Sequence, residues 1–262
     1  MMKQRIRRFL DKIESSRIPF FIKIPMILPV RIRRGILTRR TADKFALEVH
    51  YCNICGWRGE KFKKVLNEIM QQDEEIVCPN CLSEPRQRAL FKYLRQNFLT
   101  DYIYCMKEDN LLCLEISPDR SNPVLQALPW LVYISIDLNE SRSMYEMDLT
   151  HLTFRDNLFD LVVCSHVLEH IEDDTKALEE IYRVMRKGAA ALIQIPIGYY
   201  DDLTGKHTEE FGGRRFCEHL RSYGWDFVEK LEAIGFSVDI VRYTDISMKL
   251  DIENEAIFVC KK

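Results

Sequence analysis

The sequence predicts an α/β fold in which helices cover both faces of a doubly wound, mostly parallel sheet, with a smaller module placed before it. From about residue 109 onward, short and almost continuously apolar runs alternate with helical stretches, which is typical of buried parallel strands. Ahead of that region, four of the nine cysteines form two CxxC pairs. No apolar run approaches the roughly 20 residues that a membrane helix needs.

The predicted elements follow from apolar periodicity and from the residues that end each run. The expected strands are Leu111–Ile116, Leu131–Ile136, Leu158–Cys164, Ala189–Ile197, Phe236–Tyr243 and Ala256–Cys260. Helices are expected at 84–98, at Asp174–Arg186 with Lys187 and Gly188 ending it, and at Asp226–Ile234 with Gly235 as its cap. The 21-residue link Gly198–Glu218 is too long for a simple connection. We interpret it as a lid and acceptor-binding segment at the strand ends, with a disordered segment as the alternative.

The paired cysteines predict a structural zinc site. Cys52 and Cys55 are separated by 22 residues from Cys78 and Cys81, and two such turns can each fold two thiolates onto one tetrahedral ion. A ribbon of roughly 40 residues has too small a core to fold without such a metal. Disulfide bonds are the less favoured alternative, because the cysteine count is odd and no secretory signal is apparent. The other five cysteines are expected to be buried small apolar residues or spare thiols.

The first 40 residues are strongly basic. They contain twelve Lys and Arg against two acidic residues, so a segment of net charge +10 precedes a remainder of −12. Ile6, Phe9, Leu10 and Ile13 form one apolar helical stripe in it. The arm could therefore meet phosphate in lipid or nucleic acid, pack on the protein's own body, or stay solvated. Between Tyr51 and Leu90 the charges balance, six against six, which makes nucleic acid the less favoured partner.

Acidic residues end the first two strands of the predicted sheet. Glu115 lies near the end of the first strand, and Asp137 follows it by 22 residues at the end of the second. In open parallel sheets, ligands bind at the carboxyl ends of the strands, and an acidic group at this distance can accept hydrogen bonds from ribose hydroxyls. Alone, this signal is weak, since aspartate is also a common turn residue.

The segment from Met147 to Gly188 resembles a known family. It contains Met147-Asp148-Leu149-Thr150, then Phe154-Arg155-Asp156-Asn157-Leu158-Phe159-Asp160, then Val167-Leu168-Glu169-His170, and a helix ending Arg186-Lys187-Gly188. These motifs are similar to those of class I S-adenosylmethionine-dependent methyltransferases of the type 11 group. The resemblance covers about residues 110–262 and implies a seven-stranded Rossmann-like sheet. A zinc ribbon followed by this domain also resembles a bacterial subgroup, whose further motif matches His219-Leu220-Arg221-Ser222-Tyr223-Gly224 here.

The resemblance implies a role for each matching residue. Asp137 would hold the ribose of S-adenosylmethionine with Leu138 beside the adenine, and Asp148 with Leu149 would border the adenine. Ser165 and His166 would lie near the methionine part, and Glu115, Ile116 and Ser117 would form the loop beneath it. The family pattern at this loop is E-x-G-x-G, whereas no glycine occurs here between Glu115 and Trp130. We therefore expect a different backbone approach to the cofactor.

Several polar residues are candidates for work on the acceptor. His166 could be the general base that removes a hydroxyl proton, because imidazole titrates near neutral pH, although many methyltransferases rely on positioning alone. His170 is more simply explained as a residue that orients its loop. His219, Arg221 and Tyr223 could contact the acceptor or anchor the loop that carries them.

The expected organisation is a basic amphipathic arm at 1–47, a zinc ribbon at 48–83 and a methyltransferase domain at 84–262, with a linker helix at 84–98 and the core at 109–262. The favoured function is methyl transfer to a small-molecule or saccharide acceptor, which the subgroup resemblance places in bacterial surface glycan biosynthesis. The expected location is cytoplasmic, with residues 1–30 as a peripheral contact to the inner face of the membrane. An RNA methyltransferase that uses the ribbon and arm, or a non-catalytic interaction protein on this fold, are the alternatives.

Overall fold

A computed structural model describes residues 50–67, 72–99, 111–118, 125–128, 131–139, 141–198, 207–213, 218–243, 248 and 256–262. The predicted arm at 1–47, with its membrane contact through residues 1–30, lies outside the described residues. The same holds for residues 199–206 and 214–217 of the predicted lid. None of the helices in the described ranges has the length and apolar character needed to cross a membrane.

Two short hairpins form the N-terminal module. Strands β1 (His50–Tyr51) and β2 (Arg58–Gly59) pair antiparallel around the first CxxC pair. Strands β3 (Lys63–Asn67) and β4 (Gln72–Val77) form the second hairpin, which leads into the other pair. Helix α1 (Pro85–Leu94) follows directly and continues as a π-helical turn at Arg95–Leu99, so the predicted helix at 84–98 is present.

One seven-stranded sheet dominates the described part of the chain. Its strands are β5 (Leu111–Ile116), β6 (Leu131–Asp137), β7 (Tyr145–Glu146), β8 (Phe159–Ser165), β9 (Met185–Gln194), β12 (Ser237–Val241) and β13 (Ile257–Lys261). The order across the sheet is β12-β13-β9-β8-β5-β6-β7. All pairs are parallel except those that β13 makes with its two neighbours. This architecture confirms the predicted fold class.

The two faces of the sheet bury different elements. Helices α2 (Asp174–Val184) and α3 (Phe227–Ile234) pack with alternate strand residues such as Leu114 and Val162 on one face. The neighbouring strand residues, Cys113 and Val163 among them, face α1 and the cysteine hairpins in a second apolar cluster. The N-terminal module therefore shares its core with the sheet. Cys113, Cys164 and Cys260 are fully buried, as expected of small apolar side chains.

The end of α2 differs from the prediction. The helix stops at Val184, and Met185 already pairs with Phe159 in the sheet. The backbone N–H groups of Asn157 and Leu158 donate to the carbonyls of Arg183 and Val184, at 3.0 and 2.7 Å. Pairing of Met185 in the sheet therefore ends the helix before Lys187 and Gly188, where the sequence predicted its end. Helix α3, by contrast, ends as predicted, with Gly235 in the left-handed conformation at φ 115°. Two further short strands, β10 (Glu209–Glu210) and β11 (Arg221–Ser222), form a separate ribbon.

Candidate functional site

A pocket of about 450 Å³ lies at the carboxyl ends of β5 and β8. This is where the strand order reverses, the usual ligand site of an open parallel sheet. Five residues that the sequence predicts for cofactor binding line it together: Glu115, Ile116, Ser117, Ser165 and His166. The remaining walls come from α1 and from loops, and include Arg86, Gln87, Leu90, Pro118, Leu125, Arg142, Val163 and Gln194. The contribution of α1 was not apparent from the sequence.

Ser117, at the position of the first glycine in the family pattern, takes a left-handed backbone conformation. It has φ 51°, a left-handed backbone that side chains with a Cβ adopt at a cost. Its backbone N–H donates to the carbonyl of Ile136 at 2.8 Å, and its hydroxyl donates to Oδ2 of Asp137 at 2.8 Å. The glycine-free loop therefore has a glycine-like turn at its first position, held by bonds to the neighbouring strand end.

Two carboxylates stand near this turn. Asp137 also accepts the backbone N–H of Asn139 at 2.8 Å through Oδ1, which fixes its orientation at the end of β6. Glu115 accepts the hydroxyl of Tyr133 at 2.6 Å, and burial, together with this carboxylate, raises the pKa of Tyr133. Both carboxylates are thus hydrogen-bond acceptors placed at strand ends, as hydrogen bonding to ligand hydroxyl or amine groups requires.

The residues expected around the adenine differ in exposure. Leu138 is 73% exposed, so its side chain is available to cover a planar ring. Asp148 accepts the backbone N–H and the hydroxyl of Thr150 at 2.8 and 2.9 Å, and these bonds, that of the backbone first, lower its pKa. Leu149 is only 4% exposed and belongs to the core. Of Asp148 and Leu149, only Asp148 therefore has a side chain at the surface.

The loop after β8 is tied to α1. The hydroxyl of Ser165 donates to Oε1 of Gln194 at 3.0 Å, and Nε2 of Gln194 donates to the carbonyl of Arg86 at 3.1 Å. His166 follows with φ 55°, and its backbone N–H donates to the Gln194 carbonyl at 2.9 Å. A strained backbone at a pocket wall is typical of a functional position.

A buried carboxylate and three histidines lie beside this loop. Glu169 is fully buried, with Oε1 3.5 Å from Nδ1 of His166, and burial raises the pKa of its carboxyl. The rings of His170 and His219 are 4.8 Å apart, edge to face. Burial lowers the pKa of His219 to about 4, so its imidazole is neutral at physiological pH. The burial of Glu169 was missed from the sequence, which gave only its place in the Val-Leu-Glu-His motif.

Arg221 and Tyr223 have their polar atoms engaged inside the protein. The Arg221 guanidinium donates to the carbonyls of Leu168, Ile171 and Glu172 at 3.1, 2.6 and 2.9 Å. The hydroxyl of Tyr223, which is fully buried, donates to Asp174 at 2.6 Å. Of the two roles considered for these residues, the structure supports the anchoring of the loop, and a direct contact with an acceptor does not fit their burial.

The four paired cysteines converge as a metal site would require. The Sγ atoms of Cys52 and Cys81 are 3.6 Å apart, as are those of Cys55 and Cys78, and all four lie within 4.8 Å of one another. Bonds of about 2.3 Å to a tetrahedral Zn²⁺ place sulfur atoms about 3.8 Å apart. A disulfide needs about 2.05 Å, and these cysteines are unbridged. The donor set therefore fits Zn²⁺ and not the disulfide alternative.

Ser83 and Arg88 connect this cluster with the rest of the protein. The Ser83 hydroxyl lies 3.3 Å from Sγ of Cys52 and 3.2 Å from Sγ of Cys81. Arg88, a fully buried residue of α1, donates to the carbonyls of Ser83, Ile76 (2.7 Å) and Met248 (2.9 Å). A guanidinium so close to four thiolates offsets part of the negative charge that a Zn(Cys)₄ centre would carry. This residue was not singled out from the sequence.

Comparisons with known proteins agree with this geometry. Residues 111–193 match the family model described as "Methyltransferase domain". The matched range contains the pocket residues that follow β5 and β8. Together with the strand order, the match defines the class of the described core: it is a class I methyltransferase fold with a cysteine-rich module packed on one face of the sheet.

Individual relatives match shorter stretches. An uncharacterized protein of Methanocaldococcus jannaschii is 34% identical over 70 residues, which cover 24% of this chain and 31% of that protein. A demethylmenaquinone methyltransferase of Lactiplantibacillus plantarum is 51% identical over 39 residues, 15% of this chain and 16% of that enzyme. The chain thus spans less than a third of the length of these curated relatives. A solved S-adenosylmethionine-dependent methyltransferase from Mesorhizobium loti superposes with a TM-score of 0.48 at 12% identity, over 59% of this chain and 92% of that one.

Proposed function

We propose that this protein transfers a methyl group from S-adenosylmethionine to a small-molecule or saccharide acceptor. The observation that carries the proposal is the pocket between the ends of β5 and β8, where five expected cofactor residues line one cavity within a sequence that matches a methyltransferase domain. The proposal includes the division into a zinc ribbon at 48–83 and a methyltransferase domain at 84–262. The four-cysteine cluster supports Zn²⁺ as a structural ion of that ribbon.

The proposed cofactor contacts follow from the chemistry of each side chain. Asp137 accepts hydrogen bonds from the ribose hydroxyls, and its bonds to Ser117 and Asn139 hold the carboxylate in place for this. Leu138 covers the adenine and Asp148 accepts from its amine. The loop of Glu115, Ile116 and Ser117 lies beneath the methionine part. When bound, S-adenosylmethionine supplies an electrophilic methyl group, so the protein's main task is to align the acceptor with it.

The pocket also has properties that bear on the acceptor. Its volume falls in the range of small-molecule sites, about 300–1,000 Å³. Arg86 and Arg142 line it, and a guanidinium suits a carboxylate or phosphate group on a ligand. His166 stands in the same wall and is the proposed acceptor of a hydroxyl proton. We therefore favour an acceptor that carries a hydroxyl group. The pocket also has space for an anionic group on such an acceptor.

Calorimetry with S-adenosylmethionine and S-adenosylhomocysteine tests the cofactor assignment. Wild-type protein should bind both, and Asp137→Ala should bind at least about tenfold more weakly, because a charge-assisted hydrogen bond contributes about 1.5–3 kcal/mol. Asp156→Ala is the matched control, since Asp156 pairs with Arg183 and is not one of the expected cofactor residues. Wild-type affinity in Asp137→Ala contradicts the site. Absence of heat with wild type contradicts the function and favours a non-catalytic interaction protein.

The charge of the basic arm supports a second candidate function, that of an RNA methyltransferase. The arm's net charge of +10 is suited to phosphate backbones, and such binding weakens steeply with salt. A salt-dependent gel shift with bulk RNA that is lost on deletion of residues 1–40 would favour RNA as the acceptor. Flotation of the full-length protein with anionic liposomes, lost with the same deletion, would instead favour a peripheral membrane site at the cytoplasmic face.

A further inference from the structure

Glu169 is a carboxylate buried without the hydrogen bonds that such a group needs. It is 0% exposed, and within the described residues neither Oε1 nor Oε2 has a hydrogen-bond partner. The Nδ1 atom of His166 lies 3.5 Å from Oε1. A buried polar group without partners is destabilising, and more so when it is charged, so a cation bound beside Glu169 would stabilise this position.

Two more imidazoles converge on the same carboxylate. Ligand atoms of Glu169, His170 and His219 all lie within 4.8 Å of one another. His219 is 8% exposed, so water does not compete strongly for its ring. Nδ1 of His170 lies 3.4 Å from the carbonyl of Glu218. A ring N–H that donates to a backbone carbonyl orients the imidazole and leaves its other nitrogen as an electron-pair donor.

The backbone around the cluster is held from several sides. The Arg221 guanidinium donates to the carbonyls of Leu168 and Ile171, on either side of Glu169 and His170. The backbone N–H of Leu220 donates to the Glu169 carbonyl at 2.8 Å. The loop after β8 and the segment that carries His219 are therefore fixed against each other before any ligand binds, which is the preorganisation that a metal site needs.

We propose that Glu169, His170 and His219 bind a divalent first-row transition-metal cation, separate from the ion of the cysteine cluster. One carboxylate and two imidazoles form the donor set of many Zn²⁺ and Fe²⁺ sites, and they leave coordination positions open for water or a ligand. Metal–ligand bonds of about 2.0–2.2 Å require the three donors to close in from their present separation. The cation replaces the hydrogen bonds that Glu169 lacks.

The location of the proposed cation site would let a bound cation affect the pocket. The cation joins the loop after β8, which carries His166 of the pocket wall, to the segment that begins at Glu218. His166 touches both the pocket and Glu169. Loading the site therefore stiffens one wall of the pocket, and it does so whether or not S-adenosylmethionine binds there.

Metal analysis of the purified full-length protein tests the proposal. After loading with Zn²⁺ and removal of free ion by gel filtration, wild type should hold two ions per chain. Glu169→Gln and His219→Gln should each hold one, and Cys55→Ser should lose the other ion. The matched controls are Glu179→Gln, an exposed residue of α2, and His151→Gln, whose ring contacts Thr150 and Lys176 instead of the cluster. Both controls should keep two ions.

Cobalt spectroscopy distinguishes the two sites directly. Co²⁺ in the cysteine cluster gives intense thiolate charge-transfer bands, whereas Co²⁺ bound by Glu169 and the histidines adds only weaker visible bands, which Glu169→Gln should remove. Two results would overturn the proposal: a single ion per chain when Zn²⁺, Co²⁺, Mn²⁺ and Fe²⁺ are each offered, or a second ion that persists in both Glu169→Gln and His219→Gln. If either variant does not fold, His170→Gln takes its place, with the same loss expected.

Discussion

The hydroxyl of Ser117 donates a hydrogen bond of 2.8 Å to Oδ2 of Asp137, across the ends of the neighbouring strands β5 and β6. It links the first loop of the pocket to the carboxylate proposed to hold the ribose. A glycine at this position, as in the family pattern, has no side chain to make the bond. The serine thus combines a left-handed backbone, φ 51°, with an orienting contact.

This relationship predicts different effects of two substitutions at Ser117. Ser117→Gly should keep the free energy of unfolding close to that of wild type, since relief of backbone strain offsets the lost hydrogen bond. Ser117→Val should lower it by about 1–2 kcal/mol relative to the glycine variant, because a β-branched residue tolerates this conformation poorly. Urea denaturation followed by circular dichroism measures the difference. Equal stability of the two variants would contradict the assigned conformation.

Removal of metal from the cysteine cluster should affect the whole protein. The hairpins share an apolar cluster with the sheet, in which Cys52 and Cys78 pack with Leu161 and Val163. We expect Cys55→Ser, or treatment with a strong chelator, to lower the melting temperature and to increase proteolysis between residues 50 and 83, since the metal supplies folding energy to such a module.

Cys260→Ala is the matched control for this prediction. Cys260 is buried in the sheet, away from the metal cluster, so the zinc content of the Cys260→Ala variant should equal that of wild type. Zinc analysis and limited proteolysis of the two variants provide the comparison. An unchanged zinc content in Cys55→Ser would show that this cysteine is not a ligand.

Much of the fold could be predicted from the sequence because each strand is a short apolar run with clear ends. Leu111–Ile116 was predicted with its observed bounds. The end of α2 was not, because the pairing of Met185 with Phe159 is a long-range contact that no local signal at Lys187 and Gly188 encodes. Such contacts decide boundaries, whereas periodicity decides the type of element.

The pocket was predictable only in part, because it too depends on long-range contacts. Residues that follow parallel strands must meet at one edge of the sheet, so Glu115 and Ser165 could be placed there in advance. The part that α1 plays could not, because it depends on how the N-terminal module packs on the sheet. Nor does the sequence distinguish a polar residue that faces a ligand from one that anchors a loop, as Tyr223 illustrates. Burial decides this, and burial follows from the tertiary structure.

Tyr223→Phe tests the anchoring role directly. The substitution removes the hydroxyl that donates to Asp174 at 2.6 Å in a fully buried position. We expect a loss of about 1–2 kcal/mol in the free energy of unfolding, because Asp174 loses one of its donors. Tyr145→Phe is the control, since Tyr145 is 50% exposed and its substitution should have little effect on stability. Equal unfolding curves for both variants would contradict this role.

The ion pair between Glu180 and Arg183 on α2 predicts a dependence of stability on pH. Arg183 donates to both carboxylate oxygens of Glu180 at 2.7 and 2.8 Å, and these bonds lower the pKa of Glu180. A carboxyl whose pKa is lower in the folded state contributes stability above its unfolded pKa of about 4.3 and loses it as the pH falls. Wild type should therefore be more stable than Glu180→Gln near pH 7.

The difference between the two proteins should shrink steadily below about pH 5, as the unfolded and then the folded carboxyl takes up a proton. Thermal denaturation of both proteins from pH 7 to pH 3 measures it. Glu179→Gln is the matched control, because Glu179 is exposed on the same helix and its substitution should leave the pH profile close to that of wild type. A difference that stays constant or grows toward acid pH would contradict the ionic role of Glu180, since an uncharged contact loses nothing on protonation.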